Sequence, residues 1–347
     1  MFSDPSNPPR TILVTHIAGL GETTLALPAL RSLRQAFPRA HITVAASAAG
    51  AEIIRLAECA NETLVVGRLR RAEFIHPGAL YRSVQSLREA ARQSYELAIE
   101  LQRNTEGAVL LNFANPGRRP GMTTRGQTLR GALERLSAAL GRGRGEKHHA
   151  QQYLEILQPL GVRPVEAAPR ITTSREADVR VDKLLDKGGW RPGELLAGLH
   201  PGAGAAHKRW PVDRFAELAA RFVHNLGARV VIFSGPGERA LARQITAALP
   251  KGSAILLARP AMDDFVSALA RLSAFAGNLS GPAHLAAATG APVAVISGHD
   301  QATPYDVLGA GVRHVRGPRP EHISVEEVYE TACSMIQSSR TERLGWR

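Results

Sequence analysis

The chain has 347 residues, of which 44% are hydrophobic and 21% charged, a balance that excludes an intrinsically disordered protein. This length favours two domains, because a single hydrophobic core stops growing at about 250–300 residues. The net charge of +12 fits nucleic acid, an anionic membrane surface or an acidic substrate as partner. With no zinc-ligand spacing and no RNA-binding signature, we expect no nucleic-acid partner.

The N-terminal half alternates strands and helices in the order of an open parallel sheet. Short apolar, β-branched runs predict strands, and leucines at helical spacing predict a long helix that ends before Pro38. The strands are Thr11–Thr15, His41–Ala45, Thr63–Val66 and Leu97–Leu101, and the helix is Thr23–Phe37. Strand, glycine turn, helix and strand form the βαβ unit of such a sheet.

The same pattern restarts in the C-terminal half, which predicts a second α/β domain. Strands are expected at Leu195–Leu199 and Val230–Phe233, a helix starting at Pro211 and another at Glu238–Leu249. Ser324 and Glu327 form a capping box for a last helix that should reach Ile336, with a frayed tail after it. The predicted domains are therefore 1–172 and 173–322, followed by a C-terminal helical segment, 323–347.

The cysteines and the N-terminus bear on the compartment. Cys59 and Cys333 are the two cysteines and lie in different halves, so they offer neither a disulfide framework nor a metal-ligand spacing. The polar, Pro-rich start does not have the pattern of a signal peptide, and no apolar run approaches the ~20 residues that span a bilayer. We expect a cytoplasmic protein, at most peripheral on a membrane.

The segment Gly277–Ile296 predicts a strand followed by a helix N-terminus that can bind an anion. Ser280 suits the N-cap, Gly281 allows a ligand to approach the backbone, and Pro282 suits the first turn. Unpaired N–H groups at the carboxyl end of a strand are where anionic ligands bind in open α/β sheets. The alternative is a well-capped core helix without a ligand, in which His284 is structural.

Two further segments end at the same predicted sheet edge. After the strand that ends near His200, Gly202 and Gly204 open the backbone to a phosphate and Lys208 adds a positive charge. The third glycine of the dinucleotide fingerprint is replaced by His207, which argues against a nicotinamide site. The alternative for Lys208 is a solvated surface lysine.

Glu238 follows the second strand of this domain, where an acidic side chain can accept hydrogen bonds from a ribose diol. Its alternative is an ordinary glutamate in the first turn of a helix, where the helix dipole favours a negative charge.

The loop after the first strand carries Gly19, Gly21 and Glu22 ahead of a helix. It also lacks the third glycine of the dinucleotide pattern, and no acidic residue follows the next strand, so we expect no nucleotide in this half. Glu22 instead could face a cleft between the domains and take a proton from an acceptor hydroxyl. The alternative is a carboxylate that only stabilises the helix N-terminus.

At these residues the chain resembles the heptosyltransferase family, glycosyltransferase family nine. Four segments match in order and span nearly the whole chain: ILVTHIAGLGETTLALPALRSLRQAFPRAHI, HPGAGAAHKRWPVDRFAELA, SGPGERALARQI and GNLSGPAHLAAATGAPVAVISG. The resemblance implies a GT-B fold of two facing Rossmann-like domains, with the terminal helix crossing back to the first. It also implies inverting, metal-independent and cofactor-free transfer of a sugar from a nucleotide diphosphate, often ADP-heptose, to the lipopolysaccharide core.

The resemblance also implies roles for the residues singled out above. Lys208 would neutralise the diphosphate, Glu238 would hold the ribose and Glu22 would be the catalytic base. Backbone and side-chain contacts to the donor would come from Gly202, Ala203, Gly204, Met262, Ser280, Gly281, Pro282 and His284. Gly19 and Gly21 would shape the acceptor loop.

Two positions depart from the family pattern. The family usually has Asp at the position of Glu22, and glutamate keeps the acid–base chemistry while reaching one methylene further. It typically has Asp where this chain has Leu279, a carboxylate associated with the hydroxyl groups of the donor sugar. Because leucine accepts no hydrogen bond, the donor is expected to be a different or less hydroxylated sugar unless catalysis is lost.

The partners expected from this reading are a nucleotide sugar and an anionic glycolipid or glycan, bound by a monomer. The basic segments Arg68–Arg71 and Arg118–Lys147 would meet a phosphorylated lipid or the cytoplasmic face of the inner membrane. Two alternatives stay open: a non-catalytic nucleotide-sugar-binding protein, and an epimerase or related hydrolase of the same architecture. A nicotinamide dehydrogenase ranks below both.

Overall fold

The computed structural model describes residues 8–67, 94–102 and 147–344, together with residues 85, 88, 89, 92, 106, 107, 110 and 111. The chain divides into two compact units, Met1–Ala167 and Ala168–Arg347. The division falls a few residues before the boundary expected after residue 172. Both units are parallel α/β structures, as predicted.

The first unit is built on a parallel sheet whose strand order is β3-β2-β1-β4. Its strands are β1 (Thr11–His16), β2 (His41–Ala46), β3 (Glu62–Val65) and β4 (Leu97–Glu100). Its described helices are α1 (Leu20–Ala36), α2 (Ala48–Leu56) and α3 (His149–Leu157). Leu27, Leu30 and Leu33, which follow the helical spacing, are buried in α1, and its first half is buried on all sides, since every residue from 23 to 30 is buried.

The second unit is a six-stranded parallel sheet with the order β10-β9-β8-β5-β6-β7. The strands are β5 (Leu196–His200), β6 (Arg229–Ser234), β7 (Ala254–Ala258), β8 (Ala274–Asn278), β9 (Val293–Ser297) and β10 (Val312–Arg316). The helices are α4 (Arg175–Lys187), α5 (Val212–Leu226), α6 (Arg239–Ala247), α7 (Met262–Ala270), α8 (Gly281–Ala288) and α9 (Val325–Leu344).

One layer of the core of the second unit lies between the sheet and helices α5, α6 and α9. Phe215 and Phe222 of α5 are fully buried there, together with Ile232 of β6 and Val328 of α9. Trp210, which precedes α5, stacks edge-to-face on Phe215 with ring centroids 4.9 Å apart. This layer fixes the loop before α5 firmly against the sheet.

The predicted strands agree with the observed ones to within a residue, whereas the helix ends differ more. Helix α1 begins at Leu20 rather than Thr23, and α9 continues to Leu344 rather than ending at Ile336. The expectation of a frayed tail from Ser338 was therefore wrong for its first part, because the sequence up to Leu344 contains neither Gly nor Pro to stop a helix.

The predicted capping box before α9 is confirmed. The Ser324 hydroxyl accepts from the Glu327 N–H (3.2 Å) and the Glu327 carboxylate accepts from the Ser324 N–H (2.8 Å). Helix α9 packs on α5, β8, β9 and β10 of its own unit. Its predicted packing on the N-terminal domain stays a prediction. Across the described residues, no helix combines the length and the apolar character that crossing a membrane requires.

Each sheet contains one point where the chain reverses the direction in which it adds strands. In the first unit β1, β2 and β3 proceed one way and β4 is placed on the other side of β1. In the second unit the same reversal lies between β5 and β8. Loops at the carboxyl ends of such strand pairs diverge and leave a crevice, which is where ligands bind in open α/β sheets.

Candidate active site

Asn278 joins the two loops that flank the crevice of the second unit. It is the last residue of β8 and is fully buried. Its amide oxygen accepts from the Trp210 N–H (2.8 Å), and its amide nitrogen donates to the carbonyls of Pro201 and Gly202 (both 3.0 Å). The glycine loop after β5 and the turn that carries Lys208 are thereby tied to the strand that leads into α8.

Glu238 lies against the same glycine loop. Its carboxylate accepts from the Gly235 N–H (2.7 Å) and from Nε2 of His200 (3.0 Å), the last residue of β5. A Cβ atom added to Gly202 would stand 1.9 Å from the Glu238 carboxylate, so a larger residue at position 202 would displace the Glu238 side chain from its place. We expected Gly202 to open the backbone to a phosphate, whereas this face of Gly202 is occupied by Glu238.

The Glu238 carboxyl is held in its charged form. Burial alone would raise its pKa, but the hydrogen bond and charge of His200, followed by the Gly235 N–H, outweigh burial and lower the pKa below its usual range. Because a carboxylate only accepts, Nε2 of His200 carries the hydrogen in this pair. Glu238 is therefore an oriented, ionised acceptor at the edge of the sheet, as recognition of a ribose diol requires.

Lys208 lies in a short 3₁₀ turn, Ala206–Lys208, between the glycine loop and α5. Its side chain is exposed and forms no ion pair with a described residue. The neighbouring Arg209 reaches back to the Ala203 carbonyl (3.4 Å), while Ala203 itself is buried and Gly204 is exposed. The loop thus places the Lys208 cation, which has no ion-pair partner among the described residues, near the exposed backbone of Gly204.

The N-terminus of α8 stands at the other side of the crevice. Ser280 occupies the N-cap position, as predicted, but its hydroxyl donates to the Asn278 carbonyl (3.0 Å) instead of capping an N–H of the first turn. Gly281 and Pro282 open the helix and are partly exposed. The Ala283 N–H donates to the Ser280 carbonyl (3.1 Å) and Pro282 has no N–H, so in the first turn of α8 it is the Gly281 N–H that is left for another acceptor.

His284 and Met262 are the remaining predicted donor-binding residues, and Leu279 is the position where the family typically has Asp. The His284 ring, one turn into α8, is 6% exposed, so it belongs largely to the interior of the unit. The Leu279 N–H donates to the Ile296 carbonyl (2.9 Å), and its side chain is partly exposed at the crevice. Met262 opens α7, the helix that follows β7, and is also partly exposed.

In the first unit, Glu22 lies at the strand reversal between β1 and β4. One carboxylate oxygen accepts from the Gly19 N–H (3.1 Å) and the other from the side-chain amide of Gln102 (3.2 Å), two residues beyond β4. Gly21 lies in the first turn of α1. Glu22 therefore stabilises the start of α1, as its alternative interpretation proposed, and is also fixed by a contact from a second strand.

A buried histidine lies close to the backbone of Glu22. His16 ends β1, is completely buried, and stacks edge-to-face with Tyr153 of α3 at 5.2 Å between ring centroids. Burial lowers its pKa to about 4; the backbone of Glu22 partly opposes this effect and the nearby His149 adds to it. The imidazole is therefore neutral at physiological pH.

The structure brings the three predicted donor segments into direct contact through Asn278 and through Glu238 with Gly202. It brings Glu22 together with Gly19, which the sequence placed in the same loop, and with Gln102, which the sequence analysis missed. Asn278, His200 and Gln102 share one detectable feature: each is a polar residue that ends a strand or lies within two residues after it. Glu238 was noticed in the sequence because it follows a strand, and the same criterion could have marked these three.

Two predictions from the sequence stay untested, the one on the basic segments and the one on metal independence. Arg68–Arg71 and most of Arg118–Lys147 lie outside the described residues. Among the residues that are described, no three His, Cys, Asp or Glu side chains are grouped to hold a metal ion. Metal independence stays a prediction.

Comparison with known proteins adds independent information. The model of glycosyltransferase family 9 (heptosyltransferase) matches residues 81–332, more than half of the chain. A search of curated protein sequences finds no match.

Solved structures match over nearly the whole chain. The family 9 glycosyltransferase of Veillonella parvula is 22% identical, with a TM-score of 0.78 over 95% of this chain and 97% of that one. The Escherichia coli ADP-heptose lipopolysaccharide heptosyltransferase II is 22% identical, with a TM-score of 0.73 over 95% and 99%. The E. coli heptosyltransferase WaaC with ADP is 16% identical, with a TM-score of 0.71 over 94% and 99%. These likenesses identify the fold as GT-B.

Proposed function

Because this chain belongs to glycosyltransferase family 9 and is a glycosyltransferase, we propose that it moves a heptose or related sugar from an ADP-linked donor to a lipopolysaccharide core or similar glycan. Transfer would proceed with inversion, in a monomer, without a metal or cofactor. The choice of ADP as the nucleotide is supported by two of the similar solved structures, one named for ADP-heptose and one solved with ADP.

The observation that carries the donor half of this proposal is the contact network at the crevice of the second unit. An ionised, oriented carboxylate (Glu238), an exposed cation (Lys208) and the N-terminus of α8 stand on three loops, and Asn278 joins two of them. A nucleoside diphosphate needs an acceptor for its ribose hydroxyls and positive groups for its phosphates. The crevice offers both.

The proposed reaction is a single displacement. Glu22 takes the proton of an acceptor hydroxyl, whose oxygen forms a bond to the anomeric carbon while the bond from that carbon to the diphosphate breaks. Negative charge grows on the departing nucleoside diphosphate, and Lys208 together with the Gly281 N–H at the positive end of α8 stabilises it. Attack opposite the leaving group inverts the anomeric configuration.

Leu279 bears on which sugar is transferred. It stands at the crevice with a partly exposed apolar side chain, where a carboxylate would bind sugar hydroxyls. We therefore propose that the donor sugar has fewer hydroxyl groups than heptose on the side that faces Leu279. Leu279→Asp should then raise turnover of ADP-heptose relative to the native donor.

The acceptor is proposed to be an anionic glycolipid or glycan at the cytoplasmic face of the inner membrane. The support is the net charge of +12 and the basic segment 118–147, which carries eight Arg or Lys residues against two Glu. Anionic leaflets attract such segments by about 1 kcal/mol for each basic residue near the surface.

The first test is thermal stabilisation of the full chain by ADP, UDP, GDP and their sugar conjugates, in wild type, Lys208→Ala and Lys251→Ala. Lys251 is another exposed lysine of the second unit and serves as the matched control. A ligand at 100 times its dissociation constant adds about 2.7 kcal/mol of stability. We expect a shift with ADP conjugates that Lys208→Ala loses and Lys251→Ala keeps.

Each other outcome is informative. No shift with any nucleotide would refute the donor site. A shift without turnover in the presence of glycan acceptors would indicate a non-catalytic nucleotide-sugar-binding protein. Consumption of donor without any acceptor would indicate an epimerase or hydrolase.

A further inference from the structure

The hydrogen bond between Gln102 and Glu22 links the segment just after β4 to the start of α1, the helix that follows β1. The register of β1 and β4 pairs Thr15 with Glu100, and the Leu101 N–H extends the ladder to the Thr15 carbonyl (3.1 Å). Gln102 is therefore placed by the sheet backbone itself, just beyond the last ladder bond. Its amide nitrogen is 3.2 Å from the Glu22 carboxylate.

Within the described part of the chain, Glu22 accepts hydrogen bonds from two different elements, and they reach different oxygens. The Gly19 N–H belongs to the loop after β1 and holds one oxygen at 3.1 Å, while Gln102 holds the other. The first contact is the local one expected at a helix N-terminus. The second contact adds nothing to the capping of α1, but it fixes the plane of the carboxylate.

The orientation of the amide is determined by chemistry. A carboxylate accepts hydrogen bonds only, so the NH₂ end of Gln102 must face it, and the amide oxygen points away. That oxygen is buried and makes no hydrogen bond within the described part of the chain. Gln102 thus leaves one polar atom unsatisfied while its other end holds the carboxylate.

We infer that Gln102 is a positioning residue for sugar transfer, which holds the Glu22 carboxylate in the orientation that accepts the proton of the acceptor hydroxyl. The inference rests on the proposed function, in which Glu22 is the base. A base must lie within about 2.6–3.2 Å of the oxygen it deprotonates, and glutamate has one more rotatable bond than the aspartate usual in the family. A second anchor restricts that additional freedom.

The test uses Gln102→Met, which keeps an unbranched side chain of similar length and removes both amide groups. The matched control is Gln151→Met: the Gln151 amide donates to Glu155 at the same distance, 3.2 Å, on the exposed face of α3. Turnover is measured as release of the nucleoside diphosphate from the nucleotide sugar that stabilises the wild-type chain most in the thermal panel, with a heptose-free lipopolysaccharide core as acceptor. We expect kcat to fall about tenfold in Gln102→Met, with KM for the donor unchanged, and Gln151→Met to match wild type.

The dependence of kcat on pH separates positioning from a merely structural role. Removing a donor from a carboxylate disfavours its charged form, so the acidic limb of the profile should move to higher pH in Gln102→Met alone. A kcat within twofold of wild type, with an unmoved acidic limb, would overturn the inference.

Glu22→Met distinguishes the inference from the proposed function. If Glu22→Met keeps full turnover, the proposed role of Glu22 fails; if it is inactive while Gln102→Met matches wild type, the positioning role alone fails. A second readout needs no turnover. The melting temperatures of Gln102→Met, Glu22→Met and the double variant should be non-additive by about 2 °C or more, and additivity would contradict the contact.

Discussion

His16 shows at the scale of one residue how burial makes stability depend on pH. Its ring is completely buried, and among the described residues His149, Tyr153 and the backbone of Glu22 lie beside it. Burial lowers its pKa from 6.5 to about 4, so the folded chain keeps the ring neutral where the unfolded chain protonates it. Below the unfolded pKa, the unfolded state therefore gains protons that the folded state does not.

The stability of the first unit should accordingly fall as pH drops from about 6.5 to about 4. The full effect is roughly 3–4 kcal/mol, from a lowering of the pKa by about 2.5 at about 1.4 kcal/mol for each unit. Urea unfolding at pH 7 and pH 4 measures it, and His16→Asn should show a smaller loss than wild type. His41→Asn, at an exposed histidine of β2, is the control. An equal loss in both variants would contradict the prediction.

Sequence and structure agree well at single residues where the strand pattern determines position. Lys208, Glu238 and Ser280 could be assigned to one edge because each follows a predicted strand of a parallel sheet. Their contacts could not be predicted, since the pairing of Glu238 with His200 and Gly202 depends on which strands are neighbours. Strand order is a property of the whole sheet and is not encoded in any local pattern.

At the scale of elements, one buried side chain holds β5, β8 and the approach to α5 together. Asn278 satisfies three backbone groups that would otherwise be buried without partners, namely the Trp210 N–H and the carbonyls of Pro201 and Gly202. Each orphaned group costs about 1–3 kcal/mol. The Asn278 amide therefore contributes to stability mainly through these hydrogen bonds.

Asn278→Ala should destabilise the second unit by about 3 kcal/mol, and Asn278→Asp by at least as much, because a carboxylate cannot donate to the two carbonyls. Urea unfolding followed by tryptophan fluorescence measures this, since Trp210 is one of the partners. At temperatures where the variants stay folded, the stabilisation by ADP should also be lost. Native stability together with native ADP binding in Asn278→Asp would refute the role of the amide.

Helix ends were less predictable than strands for a physical reason. The predicted end of α9 at Ile336 rested on the loss of apolar spacing, but helix propagation continues without apolar contacts where no Gly or Pro interrupts it. Ser280 shows the converse case. Its position at the N-cap was correct, yet its hydroxyl bonds backwards to Asn278, a choice that depends on the neighbouring strand.

At the scale of the whole molecule, the chain uses one architecture twice with opposite chemistry. The strand reversal of the first unit carries the carboxylate of Glu22, and that of the second carries the cation of Lys208 and a helix N-terminus. A base and an anion-stabilising site are the two components that inverting transfer requires. The repeat of the βαβ pattern predicted two such units, whereas the chemical difference between them rests on a few residues after β1, β5, β6 and β8.

The net charge of +12 is also a property of the whole chain, and it gives the membrane proposal a measurable form. The full chain should co-sediment with phosphatidylcholine vesicles that contain phosphatidylglycerol and not with phosphatidylcholine alone. Binding should weaken as salt is raised, because the screening length falls from about 10 Å at 0.1 M to 3 Å at 1 M. Vesicle binding that is absent, or insensitive to salt, would count against an electrostatic contact.

Charge variants decide whether the segment 118–147 or the total charge is responsible. Arg118→Ala/Arg119→Ala removes two charges from that segment, and Arg313→Ala/Arg319→Ala removes two exposed charges from the second unit. If the segment meets the lipid, the first pair should weaken binding by roughly 2 kcal/mol, about thirtyfold, and the second pair much less. Equal losses would assign the attraction to the general field of the molecule, and the acceptor would then have to be recognised by other groups.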